Sequence, residues 1–264
     1  MLYFLLICSF LAINSPQNPQ DSTLLWLVNQ ETPLPQNYGP NLAKQANINL
    51  HPQALEAFNQ MAAAMVADDI HGLFVQSSYR TYSHQQKIFN QRLQELTAQG
   101  ESPGQAAIIT ESSIRRPGTS EHQLGLAIDV SLDGQLNETF ANSPAGQWLQ
   151  ANCHRYGFII RYPQGKTHIT GTIYEPWHLR YVGMPHASLI HSLDLTLEEY
   201  LWYVHLSKML VFWCEDLADS YYLIKYFCQL PEHMPLCIVD ISSLRPGGDG
   251  GFIITSHKTY KPES

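Results

Sequence analysis

No stretch of the 264-residue chain is both apolar and long enough to cross a bilayer as a helix, which takes about 20 residues. The longest candidate, Met1 to Ile13, is broken by Asn14-Ser15-Pro16. Basic residues are also scarce: 15 Lys+Arg against 23 Asp+Glu give a net charge of −8, and no Lys/Arg block stands out. A nucleic-acid-binding face needs such a block, so nucleic acid is not an expected partner. The five cysteines, Cys8, Cys153, Cys214, Cys228 and Cys237, form no CxxC pair, which argues against a thiolate zinc knuckle. Their spacing leaves the redox compartment undecided. The 16 glycines and 16 prolines are scattered, so collagen-like and low-complexity readings fall away. Charged residues make up only 14% and hydrophobic residues 44%, the balance of a chain with a buried core rather than a disordered one.

What is present begins with location. Residues 1–21 read as an apolar leader and a proline-punctuated linker. The leader matches the apolar part of an export signal, although no Lys or Arg precedes it; a buried N-terminal strand is the alternative. Ile7 before Cys8 is not the small residue that lipidation wants. Beyond the linker, the length suits one catalytic domain, 22–193, with a small C-terminal α/β appendage, 194–264.

Hydrophobic spacing sets the elements. Leu24 to Val28 reads as a short strand. Leu55, Phe58, Met61, Ala62, Met65 and Val66 recur at three- and four-residue intervals, which predicts a helix over 52–70 with one buried stripe. A strand at 73–77 leads through a polar turn to a helix over 84–98, with Ile88, Phe89, Leu93 and Leu96 inward and Gly100 as its stop. A further helical piece is expected within 101–121. Leu126, Ile128 and Val130 alternate as a strand, and Ser143-Pro144 opens a helix reaching Tyr156. Strands follow at 158–161 and 178–182, then a helix at 197–204, a hairpin turn at Arg245 to Gly251 and a strand at 252–255. Short strands alternating irregularly with helices predict an α+β fold, an antiparallel sheet flanked by helices.

Three segments hold polar residues that a core would not want. In Ser120-Glu121-His122-Gln123-Leu124-Gly125-Leu126-Ala127-Ile128-Asp129-Val130, a carboxylate inside an apolar strand is costly unless paired or metal-bound. Ala127 and Gly125 share its face and leave room for an ion. Strand parity would send His122 to the other face, so a bend at Gly125 is required. In Tyr174-Glu175-Pro176-Trp177-His178, a turn at Pro176 could bring carboxylate and imidazole to one cavity. Two histidines and a carboxylate on zinc, with water in the fourth position, make a catalytic site, and a non-ligating carboxylate such as Glu175 can serve as its base. The third segment, Gln76 to Gln85, puts Arg80 in a strand-to-helix turn where its fork could meet a carboxylate, although a plain surface turn explains it as well. Other histidines, such as His168 and His186, are expected at the surface.

Taken together, the Ser78-Tyr79-Arg80-Thr81-Tyr82 turn, the Pro117-to-Val130 signature and Ile169-Thr170-Gly171 leading into Glu175-Pro176-Trp177-His178 resemble the VanY-like zinc D-alanyl-D-alanine carboxypeptidases and the related L,D-carboxypeptidases, over roughly residues 24–190. The resemblance implies the small α+β fold shared with hedgehog signalling domains. It also implies one Zn²⁺ per chain on His122, Asp129 and His178, Glu175 as catalytic base, and Arg80, Gln85 and Ser120 as contacts for the substrate. The expected activity is removal of the C-terminal D-Ala from peptidoglycan stem peptides, by a bacterial protein that is exported or associated with the cell envelope. An L,D-carboxypeptidase, a peptidoglycan endopeptidase and a non-catalytic zinc-containing wall-binding module are the alternatives.

Overall fold

The computed structural model of the chain describes Ile7–Cys8 and residues 21–214, 220–229, 238–243 and 251–259. In chain order the elements begin with two short strands, β1 (Ile7–Cys8) and β2 (Asp21–Ser22), and a hairpin of β3 (Ala43–Gln45) and β4 (Ile48–Leu50). There follow α1 (Pro52–Ala67), β5 (Phe74–Ser77), α2 (Tyr82–Ala98), α3 (Pro103–Glu111), β6 (Ala127–Ser131), α4 (Pro144–Asn152), β7 (Phe158–Tyr162), the single turn α5 (Thr167–Thr170) and β8 (Glu175–Tyr181). The remainder comprises α6 (His186–Ser192), α7 (Leu197–Ser207), β9 (Met209–Cys214), β10 (Ser220–Phe227), β11 (Ile238–Ser243) and β12 (Phe252–Thr259).

The chain divides into two units. One is Val28–Tyr181; the other combines Met1–Leu27 with Val182–Ser264. These divisions fall inside the 22 and 193 limits read from the sequence.

Val28–Tyr181 is built on a four-stranded antiparallel sheet in the order β5-β6-β8-β7. Three of its helices begin where local chemistry starts them. Pro52 opens α1, Thr81 Oγ1 accepts the His84 N–H at the start of α2, and Ser143 Oγ accepts the Gly146 N–H at the start of α4. The expected stripe of α1 is buried at Leu55, Phe58, Met61 and Met65, but Val66 is 55% exposed. It sits one position past the stripe, where a helix turns its side chain outward. β6 is buried along its whole length, as a central strand covered on both faces should be.

The other unit carries a six-stranded sheet, β1-β9-β10-β12-β11-β2, antiparallel in the middle. β1 pairs in parallel with β9 and β2 in parallel with β11. Ile7–Cys8, inside the apolar leader, thus adopts a strand pairing; residues 1–6 and 9–20 lie outside the described residues, as do Cys237 and the expected turn from Arg245 to Gly250. Leu24–Val28 is not a strand. Leu24, Leu25, Trp26 and Val28 are buried around a turn closed by the Trp26 N–H to the Thr23 carbonyl, because an apolar run this short reports burial but not backbone conformation. His186 is likewise buried rather than superficial, held between the Tyr200 and Thr255 hydroxyls at 2.7 and 3.1 Å. Burial pushes its pKa down to about 3, so it is a neutral core residue. Among the described residues, Cys153 and Cys228 are free thiols. No helix of the described residues is long and apolar enough to cross a membrane.

Candidate active site

Strand register supplies the first two site residues. Across the β6–β8 ladder Asp129 stands directly opposite His178, and on its other side Ser77 of β5 is its partner. Their side chains therefore meet on one face of the sheet. His122 reaches that face from a 3-10 turn, Glu121–Leu124, which ends at Gly125 with φ +72. The left-handed residue is the bend that the sequence required. A Cβ there would also come within 2.5 Å of Leu42 Cδ2, the movable end of a side chain, so it is the backbone conformation that asks for glycine.

Ligating atoms of His122, Asp129 and His178 lie within 4.8 Å of one another, all buried. His122 Nε2 is 3.1 Å from Asp129 Oδ2, and His178 Nδ1 is 2.8 Å from Asp129 Oδ1. Ligand atoms on a tetrahedral zinc stand about 3.3 Å apart for bonds of about 2.0–2.1 Å, so the donor set fits that ion in number, type and spacing. The outer nitrogen of His122 fixes its tautomer. Nδ1 lies 2.6 Å from the Ser78 carbonyl, which can only accept, so Nδ1–H donates and Nε2 keeps its lone pair toward Asp129. Burial drives the His122 pKa down to about 4. Burial acts the same way on His178, but its hydrogen bond to Asp129 and the neighbouring carboxylates of Glu121, Asp129 and Glu175 raise it to about 9. Asp129 stays well below the usual carboxylate range because the two histidines outweigh its own burial.

Glu175 is the first residue of β8 and pairs with Tyr162 of β7, where the register slips between Ile160 and Tyr162. That slip lets Glu175 and His178, three apart, approach one cavity from a strand rather than from the turn expected at Pro176. Glu175 Oε2 is 3.9 Å from His178 Nδ1, beside the donor triad but outside it. Burial, reinforced by Asp129, pushes its pKa up to about 8 against the pull of His178, Arg115 and Arg80. A carboxyl group with a raised pKa exchanges its proton nearer neutral pH than an ordinary carboxylate does.

Arg80 is brought to the same place. Its Nε donates to Ser77 Oγ at 2.7 Å and its Nη2 to Asp129 Oδ2 at 2.7 Å, while Nη1 reaches Gln85 Oε1 only at 3.4 Å. Gln85 is fully buried and donates from Nε2 to the Arg115 carbonyl, so it braces the guanidinium. Ser120 is buried at the entrance to the 3-10 turn, and its carbonyl accepts the Gln123 N–H. His168 is exposed.

One buried cluster escaped the sequence reading. Glu121 accepts from Arg161 Nε at 2.7 Å and lies 2.8 Å from Arg180 Nη1, all three side chains at 2% exposure or less. Burial alone would raise the Glu121 pKa; the two arginines hold it well below the usual carboxylate range. The available signal was Arg180 in a strand, two residues after His178 and so on the same face.

A sequence profile described as VanY, D-alanyl-D-alanine carboxypeptidase, matches residues 47–184. A D-alanyl-D-alanine carboxypeptidase of Enterococcus faecalis is 40% identical over 203 residues, 70% of this chain and 73% of that protein. Among solved structures, a D,D-pentapeptidase VanY variant from a VanB-type vancomycin-resistance cassette, in complex with Zn(II), superposes with TM-score 0.60 at 40% identity, covering 67% of this chain and 98% of its own. The D,D-dipeptidase VanXYg, in complex with a D-Ala-D-Ala phosphinate analogue, gives TM-score 0.72 at 26% identity over 89% of this chain and 94% of its own. A match of that extent cannot be confined to Val28–Tyr181. With the profile match spanning the strands and turns that carry His122, Asp129, Glu175 and His178, the chain belongs to the VanY D-alanyl-D-alanine carboxypeptidase family.

Proposed function

We propose that this chain is a zinc-dependent carboxypeptidase that removes the C-terminal D-alanine from peptidoglycan stem peptides at the cell envelope. In this reading residues 22–193 form the catalytic domain, 194–264 a C-terminal appendage and 1–21 a leader. His122 Nε2, Asp129 and His178 Nδ1 would hold one zinc ion, which would supply Lewis acidity and acidify water at the site. Glu175 takes the proton of the attacking water and returns it to the leaving amine nitrogen, so one carboxyl group acts first as base and then as acid. Arg80, held by Ser77 and Asp129, has one loosely engaged arm, Nη1, to offer the substrate's carboxylate. Gln85 and Ser120 are assigned to the same substrate contacts.

The observation that carries the reading is the buried carboxylate of Glu175, 3.9 Å from His178 Nδ1 yet outside the ligand triad. A wall-binding module has no use for a non-ligating base at that point. The test is incubation of the zinc-loaded protein with purified pentapeptide and tetrapeptide muropeptides, read by mass spectrometry. Loss of one alanine from the pentapeptide, abolished by chelator, is expected. Trimming of the tetrapeptide alone would make the protein an L,D-carboxypeptidase, cleavage inside a cross-link an endopeptidase, and no cleavage a binding module.

A further inference from the structure

The reaction as drawn leaves the most deeply buried ionic cluster of the catalytic unit without a task. Glu121 is the residue before the ligand His122, and its side chain lies between His178 and the guanidinium groups of Arg161 and Arg180. Both arginines engage the same oxygen, Oε1. The other oxygen, Oε2, has no hydrogen-bond partner, and neither has Nε2 of His178. These two buried atoms face each other at 3.7 Å. Burying an ion pair of this kind is a poor route to stability, because desolvating the charges offsets most of their attraction. A buried acceptor aimed at the outer nitrogen of a metal-ligating histidine has a more specific use. It fixes the tautomer, orients the ring and makes the inner nitrogen a stronger ligand.

We propose that Glu121 is a positioning residue: anchored through Oε1 by Arg161 and Arg180, it uses Oε2 to take the Nε2–H of His178 and so turns the Nδ1 lone pair of His178 to the metal. The inference rests on the zinc reading of His122, Asp129 and His178 and adds to it. Each ligating histidine then has its own outer acceptor. The Ser78 carbonyl serves Nδ1 of His122, leaving Nε2 to ligate, and Glu121 serves Nε2 of His178, leaving Nδ1 to ligate. The opposite choice of nitrogen at the two histidines follows from where these acceptors sit. His122 hangs from a turn beside the Ser78 carbonyl, whereas His178 stands on β8 between Asp129 and Glu121.

Two measurements test this. Zinc affinity, read by competition with a chromophoric chelator, should fall roughly 10- to 100-fold in Glu121→Gln. If Glu121 served the fold alone, the variant would melt earlier yet bind zinc with wild-type affinity, and that result overturns the proposal. Because Gln leaves two buried guanidinium groups without their anion, a second measurement uses the zinc-loaded wild type. Long-range ¹H–¹⁵N correlation of the imidazoles, with His178 assigned by its loss in His178→Ala, should show the proton of His178 on Nε2. A proton on Nδ1 of His178 contradicts the proposal whatever the variant does. Failure of the zinc reading looks different: His178→Ala would then keep wild-type zinc affinity, or the wild type would bind no zinc at all.

Discussion

Glu175→Gln should bind one zinc per chain and lose roughly 10²- to 10⁴-fold in kcat, the usual cost of removing a general base. The three proposed ligands are untouched, and glutamine keeps the shape of the side chain. Burial disfavours the ionised form of Glu175, whose pKa is raised to about 8. A carboxyl group with a raised folded-state pKa costs stability once the pH exceeds its unfolded value, so neutral glutamine should leave the melting temperature at pH 7 unchanged or slightly higher. Lost activity with an intact fold and an intact metal would therefore isolate the proton-transfer role. The pH profile adds a second signature. Because the base must be ionised, kcat/KM of the wild type should rise with pH along an acid limb below about 8, since a bound cation favours the carboxylate. The residual activity of the variant should lack that limb. Loss of zinc from Glu175→Gln would instead make Glu175 a ligand, and retained turnover would dismiss it as the base.

Arg80→Ala should lower kcat/KM on free-acid peptides roughly 30- to 4,000-fold, the equivalent of leaving a buried anion unmatched at about 2–5 kcal/mol. Two of the three donor positions of Arg80 are committed, Nε to Ser77 and Nη2 to Asp129. The 3.4 Å contact of Nη1 with Gln85 is long for a hydrogen bond, and this arm is the one a substrate oxygen can recruit. Arg80→Lys should recover only part of the loss, because an ammonium cannot hold Ser77, Asp129 and a carboxylate at once. C-terminally amidated peptides, which lack the anion, should be hydrolysed poorly by the wild type and little worse by the variant. If both substrate forms suffer equally and zinc affinity falls with them, the guanidinium serves Asp129, and the substrate's carboxylate is read elsewhere.

The candidate metal-donor residue Asp129 stood out because its chemistry conflicts with its surroundings, and the family resemblance added His122 and His178 to it. A carboxylate between Ile128 and Val130 has to be paired or bound, and strand parity then demanded a bend, which the structure places at Gly125. Two helix starts were legible for a different reason: Pro52 and Ser143-Pro144 open helices through local chemistry alone, whereas α2 begins at Tyr82, two residues before the expected His84. Features decided by tertiary contact could not be read that way. Leu24–Val28 is apolar enough for a strand, but its backbone follows whatever buries it. His186 looked like a surface histidine because nothing local announces the hydroxyls of Tyr200 and Thr255, 14 and 69 residues away. The Glu121 cluster spans β7, β8 and the 3-10 turn, so only tertiary packing brings its members together. The pairing of Ile7–Cys8 with β9 is equally remote in sequence.

The most direct measurement is a zinc titration of metal-free protein during which D-alanine release from a pentapeptide muropeptide is followed at each addition. The proposed site predicts no release before the first addition, a linear rise, and a plateau at one zinc per chain. The same titration of Asp129→Ala should give neither tight zinc binding nor release, because Asp129 contacts both histidines of the triad. Release by the metal-free protein, a plateau at another stoichiometry, or full activity in Asp129→Ala would contradict a zinc carboxypeptidase centred on His122, Asp129 and His178.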